Sequence, residues 1–333
     1  PAGVRASRYN PRASHERSPM DKQQWEDLVR QATLAPSSHN TQPWRFIARG
    51  QLLELHADRT RALPVNDPDD RELTISCAAA LFNLRAAAAA MGLSASTAPA
   101  GESASDLLAT VTCSPGDPGP LASLAPAIPL RHTVREALSA APLDPALAGR
   151  LGAAAAAEGA SLHWLEGKQV RERVADLVAE GDRLQFADKR WRRELAAWMH
   201  PARSDDGLPV EHFGGAVRFV LSRFNVGGST AGKDEVFALR APALALLTTP
   251  SDDCAGWMAA GQALERVLLT AALEGVQAGY LNQPCQLAEL RPRLHEIAAA
   301  AAAPQVLLRL GRPLGDPHPR RRRPLEDILT FAG

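Results

Sequence analysis

The chain carries one string of predicted elements twice, and that constrains its fold more than any single motif. Shifted by 123 residues, Pro19-Met-Asp falls on Pro142-Leu-Asp and Leu28 on Leu151, so that helix follows helix in step. Shifted by 183, Asp69-Asp70 falls on Asp252-Asp253, Ala80-Leu81 on Ala263-Leu264 and Gly92 on Gly275. Self-similarity of this kind marks duplicated units that bury their apolar faces against one another. The difference between the two shifts puts about 60 extra residues inside the second copy, between roughly Gly167 and Ala241.

At 333 residues the chain is long enough for two ordinary domains or one large one. Lys plus Arg equals Asp plus Glu at 37 each, so no long-range field draws in nucleic acid or an anionic membrane. No apolar run of 18 residues free of charge and no apolar signal core occur, and a soluble, cytoplasmic protein is expected. Cys77, Cys113, Cys254 and Cys285 are scattered, with neither C-x-x-C spacing nor a His cluster. That argues against a disulfide frame and against a metal site.

Pro1 to Pro19 reads as a polar tail. Asp21 then caps a helix whose apolar face is Trp25, Leu28, Val29 and Ala32. Phe46-Ile-Ala and Leu52 to His56 read as strands joined around Gly50, Arg59 to Asp70 as a loop, and Ile75 to Met91 as an Ala-rich helix. Leu107 to Thr112 reads as a buried strand, and Ser114 to Pro129, rich in Pro and Gly, as a linker. The first module is thus drawn as 20–125 and the second as 126–333, with an insert at about 168–240. In the insert, Trp191, Leu195, Trp198 and Met199 share a helical face, and Phe186 and Phe213 lie nearby. That face serves either as extra packing or as a lid, with Phe224 to Lys233 and its glycines as the flexible part.

Residues 35–46, APSSHNTQPWRF, set Ser37, Ser38, His39, Asn40, Thr41 and Gln42 between Pro36 and Pro43. Such residues cap turns, and a row of neutral donors and acceptors also suits a flat, heteroatom-rich ligand. The string resembles the PS-x-x-N-x-QPW signature of the nitroreductase superfamily of FMN-dependent oxidoreductases, every motif position being filled. The tandem repeat is similar to the internally fused, Acg-type branch of that superfamily, from about residue 20 to the C-terminus. The resemblance implies an α+β, nitroreductase-like fold with antiparallel-rich central sheets flanked by helices. It also implies that the two modules form an intramolecular pseudo-dimer, a monomer with flavin at the seam.

The resemblance also assigns residues. Pro36, Ser37, Ser38, Asn40 and Gln42 form the loop at the cofactor. Arg131, His132, Thr133 and Arg135 (RHTVR) resemble the family's R-x-S-x-R element, which grips the FMN phosphate and ribityl chain. Leu281, Asn282, Gln283 and Pro284 match a short strand whose backbone approaches flavin N5, and the acidic residue often found there is absent. Val306 to Pro313 resembles the strand before a basic pair, for which Arg321 and Arg323 of the Arg320–Arg323 run are taken, with Arg309 as a lesser candidate. His39 and His132 are possible proton relays, although histidines beside polar loops also serve structure. The shift of 123 sends Ser37–Gln42 onto ASLHWL, without carboxamides, and the Arg131 element onto Arg8, Asn10 and Arg12, which predicts one complete site.

The expected activity is NAD(P)H oxidation with electrons passed to a small acceptor such as a nitroaromatic or quinone, with no dedicated Rossmann fingerprint. FMN sequestration without turnover is the alternative, and a helical binding protein without cofactor is a third.

Overall fold

In the computed structural model, which describes residues 20–100, 106–117, 119–199, 204–208, 227–316 and 321–332, the first element is fixed by its cap. Asp21 accepts from the Gln24 amide at 2.8 Å, and the Gln24 side chain accepts from the Asp21 amide at 3.0 Å. This reciprocal pair satisfies two orphan donors and starts helix α1 (Lys22–Ala32), which buries Trp25, Leu28, Val29 and Ala32. The predicted tail at 1–19, with Arg8, Asn10 and Arg12, lies outside the described residues, as do Phe213, Phe224 and Arg320.

Strands β1 (Trp44–Arg49) and β2 (Leu52–Ala57) form a hairpin whose turn needs Gly50, at φ +57°. Helix α2 (Arg71–Ala90) is buried on almost every face, which explains its many alanines. It is long and apolar enough to cross a membrane, but 89% of that stretch is buried inside the protein, so it is a core helix. Strands β3 (Leu93–Pro99) and β4 (Leu107–Pro115) complete the first half. The predicted linker contains a helical stretch (Pro120–Ala127) that buries Leu124 and Ala127.

The second half runs α3 (Pro145–Ala156), β5 (Ser161–Trp164), α4 (Lys168–Ala187), α5 (Lys189–Trp198), α6 (Gly227–Arg240) and β6 (Ala243–Thr249). It continues through α7 (Cys254–Leu273), β7 (Gln277–Tyr280), the turn α8 (Gln283–Gln286), α9 (Arg291–Ala298), β8 (Ala303–Gly311) and β9 (Leu329–Phe331). Among the described residues the first sheet has the order β3-β4-β2-β1-β9 and the second β7-β8-β6-β5. Setting β9 aside, the order is the same, and every pairing is antiparallel except β1 with β9. Helices α1 and α3 start 123 residues apart, and α2 and α7 start and end 183 apart.

The seam is the crossing of α2 and α7. Ile75 of α2 packs in the second half's core with Leu264, while Met258 and Leu269 of α7 pack in the first half's core. Each half therefore completes the other's apolar interior.

Two expectations are corrected. The strand drawn at Leu281–Pro284 ends at Tyr280, because Pro284 opens the helical turn α8. The C-terminal segment assigned to the second module is built into the first module's sheet, with β9 parallel to β1. Strand β3 was not read from the sequence at all.

The insert is anchored to the first half. The Glu194 carboxylate accepts from the amides of Val65 and Asn66, both at 2.9 Å, and Trp191 Nε1 donates to Asn66 Oδ1 at 2.8 Å. Phe186, Trp191, Leu195 and Met199 form an apolar cluster, with Phe186 edge-on to Trp191 at 4.9 Å.

Candidate functional site

The turn from α1 into β1 is held in a conformation side chains avoid. His39, Asn40 and Gln42 have φ of 51°, 55° and 51°. Left-handed backbone costs on the order of 1 kcal/mol per non-glycine residue, and it persists where surrounding contacts over-determine it. Here Ser37 Oγ accepts from the Gln42 amide at 3.0 Å, and Gln42 Nε2 donates to the Asp205 carbonyl at 2.8 Å. The strain turns Ser37, Ser38 and His39 into a cavity of about 400 Å³. Its walls come from this loop and α2, from Thr133, Arg135, Tyr280 and Asn282 of the second half, and from Phe186, Trp191, Leu195 and Phe237 of the insert.

Glu72, 4% exposed, ties these parts together. It accepts from Ser38 Oγ at 2.6 Å, from Gln286 Nε2 at 3.1 Å, from Asn282 Nδ2 at 3.3 Å and from Asn66 Nδ2 at 3.4 Å. Arg71 lies 3.8 Å from the same carboxylate, and the acceptor fixes every donor's orientation. Loop, second half and the segment under the insert thus share one acceptor. His39 lies beside it, and burial, aided by Arg135, pushes the imidazole down to about 4 against the pull of Glu72.

A second polar focus surrounds the Leu34 carbonyl, which accepts from Arg131 Nη2 at 3.0 Å and from Arg322 Nη2 at 3.1 Å. Two guanidiniums on one oxygen repel unless an anion offsets them. Glu265, fully buried, is that anion, ion-paired with Arg131 Nε at 3.5 Å, while Arg131 Nη1 is buried without a hydrogen bond.

Of the candidate residues, Pro36, Ser37, Ser38, Thr133, Arg135, Asn282 and Gln283 line the cavity. Arg131 lies at the second focus, 2% exposed, and His132 hydrogen-bonds the Leu130 carbonyl through Nδ1 at 2.8 Å. Leu281 is in the apolar core under α4. Asn40 and Gln42 brace the loop from behind: Asn40 Nδ2 donates to the Gly207 carbonyl at 3.3 Å, and Gln42 Oε1 accepts from the Arg323 amide at 3.0 Å.

The basic tail differs from expectation. Arg323 pairs with Asp58 at 3.6 Å and donates to the Gln42 carbonyl at 3.1 Å, and the Arg321 carbonyl accepts from Asn40 Nδ2 at 3.4 Å. None of Arg131, Arg321, Arg322 and Arg323 lines the cavity, and it is Arg322 that shares the Leu34 carbonyl with Arg131, because extended backbone turns alternate side chains to opposite sides. Arg309 does line the cavity, stacked over Phe237 at 4.2 Å. The strand β5 occupies the place of the loop in the second copy. Glu72 and Asp182 were missed, since a lone acid in the first turn of a helix, or among polar residues of an insert, carries no motif.

The family model described as Nitroreductase family matches residues 6–62. "Putative NAD(P)H nitroreductase Rv3131" of Mycobacterium tuberculosis strain H37Rv is 31% identical over 90% of this chain and 89% of its own length. "Putative NAD(P)H nitroreductase acg" of the same strain is 28% identical over 90% of this chain and 93% of its own. Among solved structures, the FMN and NADPH-dependent nitroreductase NfnB from sphigopyxis sp. strain HMH aligns over 63% of this chain and 99% of its own, at 17% identity and a TM-score of 0.43.

Proposed function

The chain belongs to the nitroreductase family, and from that membership we propose that it is an FMN-dependent oxidoreductase that oxidises NAD(P)H and reduces a small acceptor such as a nitroaromatic or quinone. The observation that carries the reading is the cavity shared by the Ser37–His39 loop, Thr133 and Arg135, and Asn282.

The residues present fit FMN. His39 Nε2, Tyr280 OH and Gln283 Oε1 are buried without a partner in side chains that line the cavity, and a heteroatom-rich ring edge offers such partners. Arg131, whose Nη1 is buried without a hydrogen bond, and Arg322 meet at the Leu34 carbonyl behind the lining residues, and two guanidiniums are the donor type that a phosphate requires. FMN, when bound, supplies the two-electron redox chemistry. The chain's own part is to hold and shield. Arg131 and Arg322 would hold the phosphate, Thr133 and Ser38 the ribityl hydroxyls, and Arg135 and neutral His39 the polar edge of the ring. Phe186, Trp191, Leu195 and Phe237 exclude water from the insert side, which strengthens every polar contact within.

The reading includes a monomer, since both halves that build the cavity belong to one chain, and places it in the cytoplasm without a nucleic-acid or membrane partner. An absorption spectrum of the purified protein, before and after dithionite, tests the cofactor. One bleachable FMN per chain is expected, and two equivalents or none would defeat the reading. Size-exclusion chromatography with light scattering tests the monomer.

The aromatic cover also favours a second reading, FMN sequestration without turnover. NADPH consumption driven by a quinone supports the reductase, whereas a yellow protein that NADPH fails to bleach supports sequestration.

A further inference from the structure

Asp182 on α4 and Asp234 on α6 both line the cavity from the insert side. Between them, Gln283 Nε2 donates to Asp182 Oδ1 at 3.0 Å and to Asp234 Oδ2 at 2.9 Å. Two carboxyl groups buried side by side on one amide nitrogen favour keeping one of them protonated, because two adjacent buried charges repel. Asp182 is 2% exposed, and its second oxygen, Oδ2, is buried without a hydrogen-bond partner. The clamp depends on a missing side chain: a Cβ on Gly181 would stand 2.6 Å from Gln283 Cβ. The charged groups facing the pair are Arg183 beside Asp182, and Lys233 and Arg309 beside Asp234. Burial, followed by the charge of Asp234, raises Asp182 to about 7, so at neutral pH its proton is both present and transferable.

Resting on the flavin reading above, we infer that Asp182 is the general acid that protonates the acceptor, with Asp234 and Gln283 as positioning residues that keep its proton toward the cavity. For a quinone, the O–H bond of the Asp182 carboxyl breaks and a new O–H bond forms on a quinone oxygen. The two electrons and the other hydrogen come from the reduced cofactor, and the product is the hydroquinone. The carboxylate then regains a proton from solvent. An acceptor that takes electrons alone does not need the residue.

The test mixes dithionite-reduced, FMN-loaded protein rapidly with a water-soluble benzoquinone or with ferricyanide, comparing wild type with Asp182→Asn and Asp234→Asn. Asp182→Asn is expected to slow quinone reduction roughly 10²-fold and to remove its inflection near neutral pH, with ferricyanide unaffected. Asp182→Glu should recover part of the quinone rate. Asp234→Asn should displace the inflection without abolishing the reaction. Equal slowing with both acceptors, or an unchanged quinone rate, overturns the inference. A protonated-carboxyl infrared band that titrates near neutral pH in wild type and is missing from Asp182→Asn provides a readout without turnover, and no such band also overturns it. Protein that shows the band but takes up no FMN would defeat the flavin reading and the acid role with it. Flavin-loaded protein with acceptor-independent effects would defeat the acid role alone.

Discussion

Ala78 and Gly261 hold the same place in the two copies, 183 residues apart, and pack against each other. A Cβ on Gly261 would lie 2.5 Å from Ala78 Cβ and 2.2 Å from the Ile75 carbonyl oxygen. Equivalent positions meet in this way only near an axis that exchanges the copies, and it is here that α2 and α7 cross. Gly261→Ala forces backbone apart where no flexible side chain can yield. A loss of about 1–3 kcal/mol is expected in urea unfolding. Gly152→Ala on α3, where the added Cβ meets nothing within 4 Å, should instead gain roughly 0.5–1 kcal/mol. Equal effects of the two substitutions would show that the crossing is not tight.

Glu72 is the acceptor on which Ser38, Asn282 and Gln286 converge. Glu72→Gln keeps the shape but turns an amide nitrogen toward a ring of donors. The expected cost is about 1–3 kcal/mol of stability, because buried donors lose their acceptor. FMN affinity should fall roughly tenfold, about 1.4 kcal/mol, as the loop loosens. Unfolding with and without FMN checks both, and a variant with full affinity would remove Glu72 from the site.

The helices were legible because their signals are local. Asp21 reads as a cap, Trp25, Leu28, Val29 and Ala32 as a stripe, and the second copy repeats the cap as Asp144 and part of the stripe as Leu151 and Ala155. Strand β3 was not, because Ser94, Ala95, Ser96 and Thr97 alternate without an apolar face and are mostly exposed. It is a strand because β4 offers an open edge, which is a tertiary fact. The same holds for β9, whose parallel partner β1 lies almost the whole chain away. In the cavity, Ser37 and Ser38 announced themselves by crowding between prolines. Glu72 and Asp182 did not, since what distinguishes them is burial and the donors around them.

Arg322, rather than Arg321 or Arg323, shares the Leu34 carbonyl with Arg131. Arg322→Ala should weaken FMN by about 1.5–3 kcal/mol, roughly 10- to 150-fold, the worth of a charge-assisted contact. Arg321→Ala should change it less than about twofold. Riboflavin, which lacks the phosphate, separates the causes. If Arg322 acts on the phosphate, riboflavin affinity is unchanged. If it acts only by bracing Asn40 and the loop carbonyls, riboflavin weakens equally. Flavin fluorescence quenching measures each.

The pH profile of stability should be shaped by two buried groups of opposite sign. Asp182 rises from its ordinary 3.8 to about 7 through burial and the charge of Asp234. Between those values the folded protein holds a proton that the unfolded chain has released, so stability falls as pH climbs through the window and the loss is complete above about 7. His39 is pushed from 6.5 to about 4 by burial, so the unfolded chain takes up a proton first and stability falls as pH drops through that range. Asp182→Asn has no proton to lose there. It should melt like wild type near the acid end of the window and higher than wild type at mildly alkaline pH, by an amount on the order of a few kcal/mol. Thermal melts across the range decide it. Parallel curves for the two proteins would mean that the carboxyl is ionised throughout, and that the cavity wall is wetter than its apolar neighbours imply.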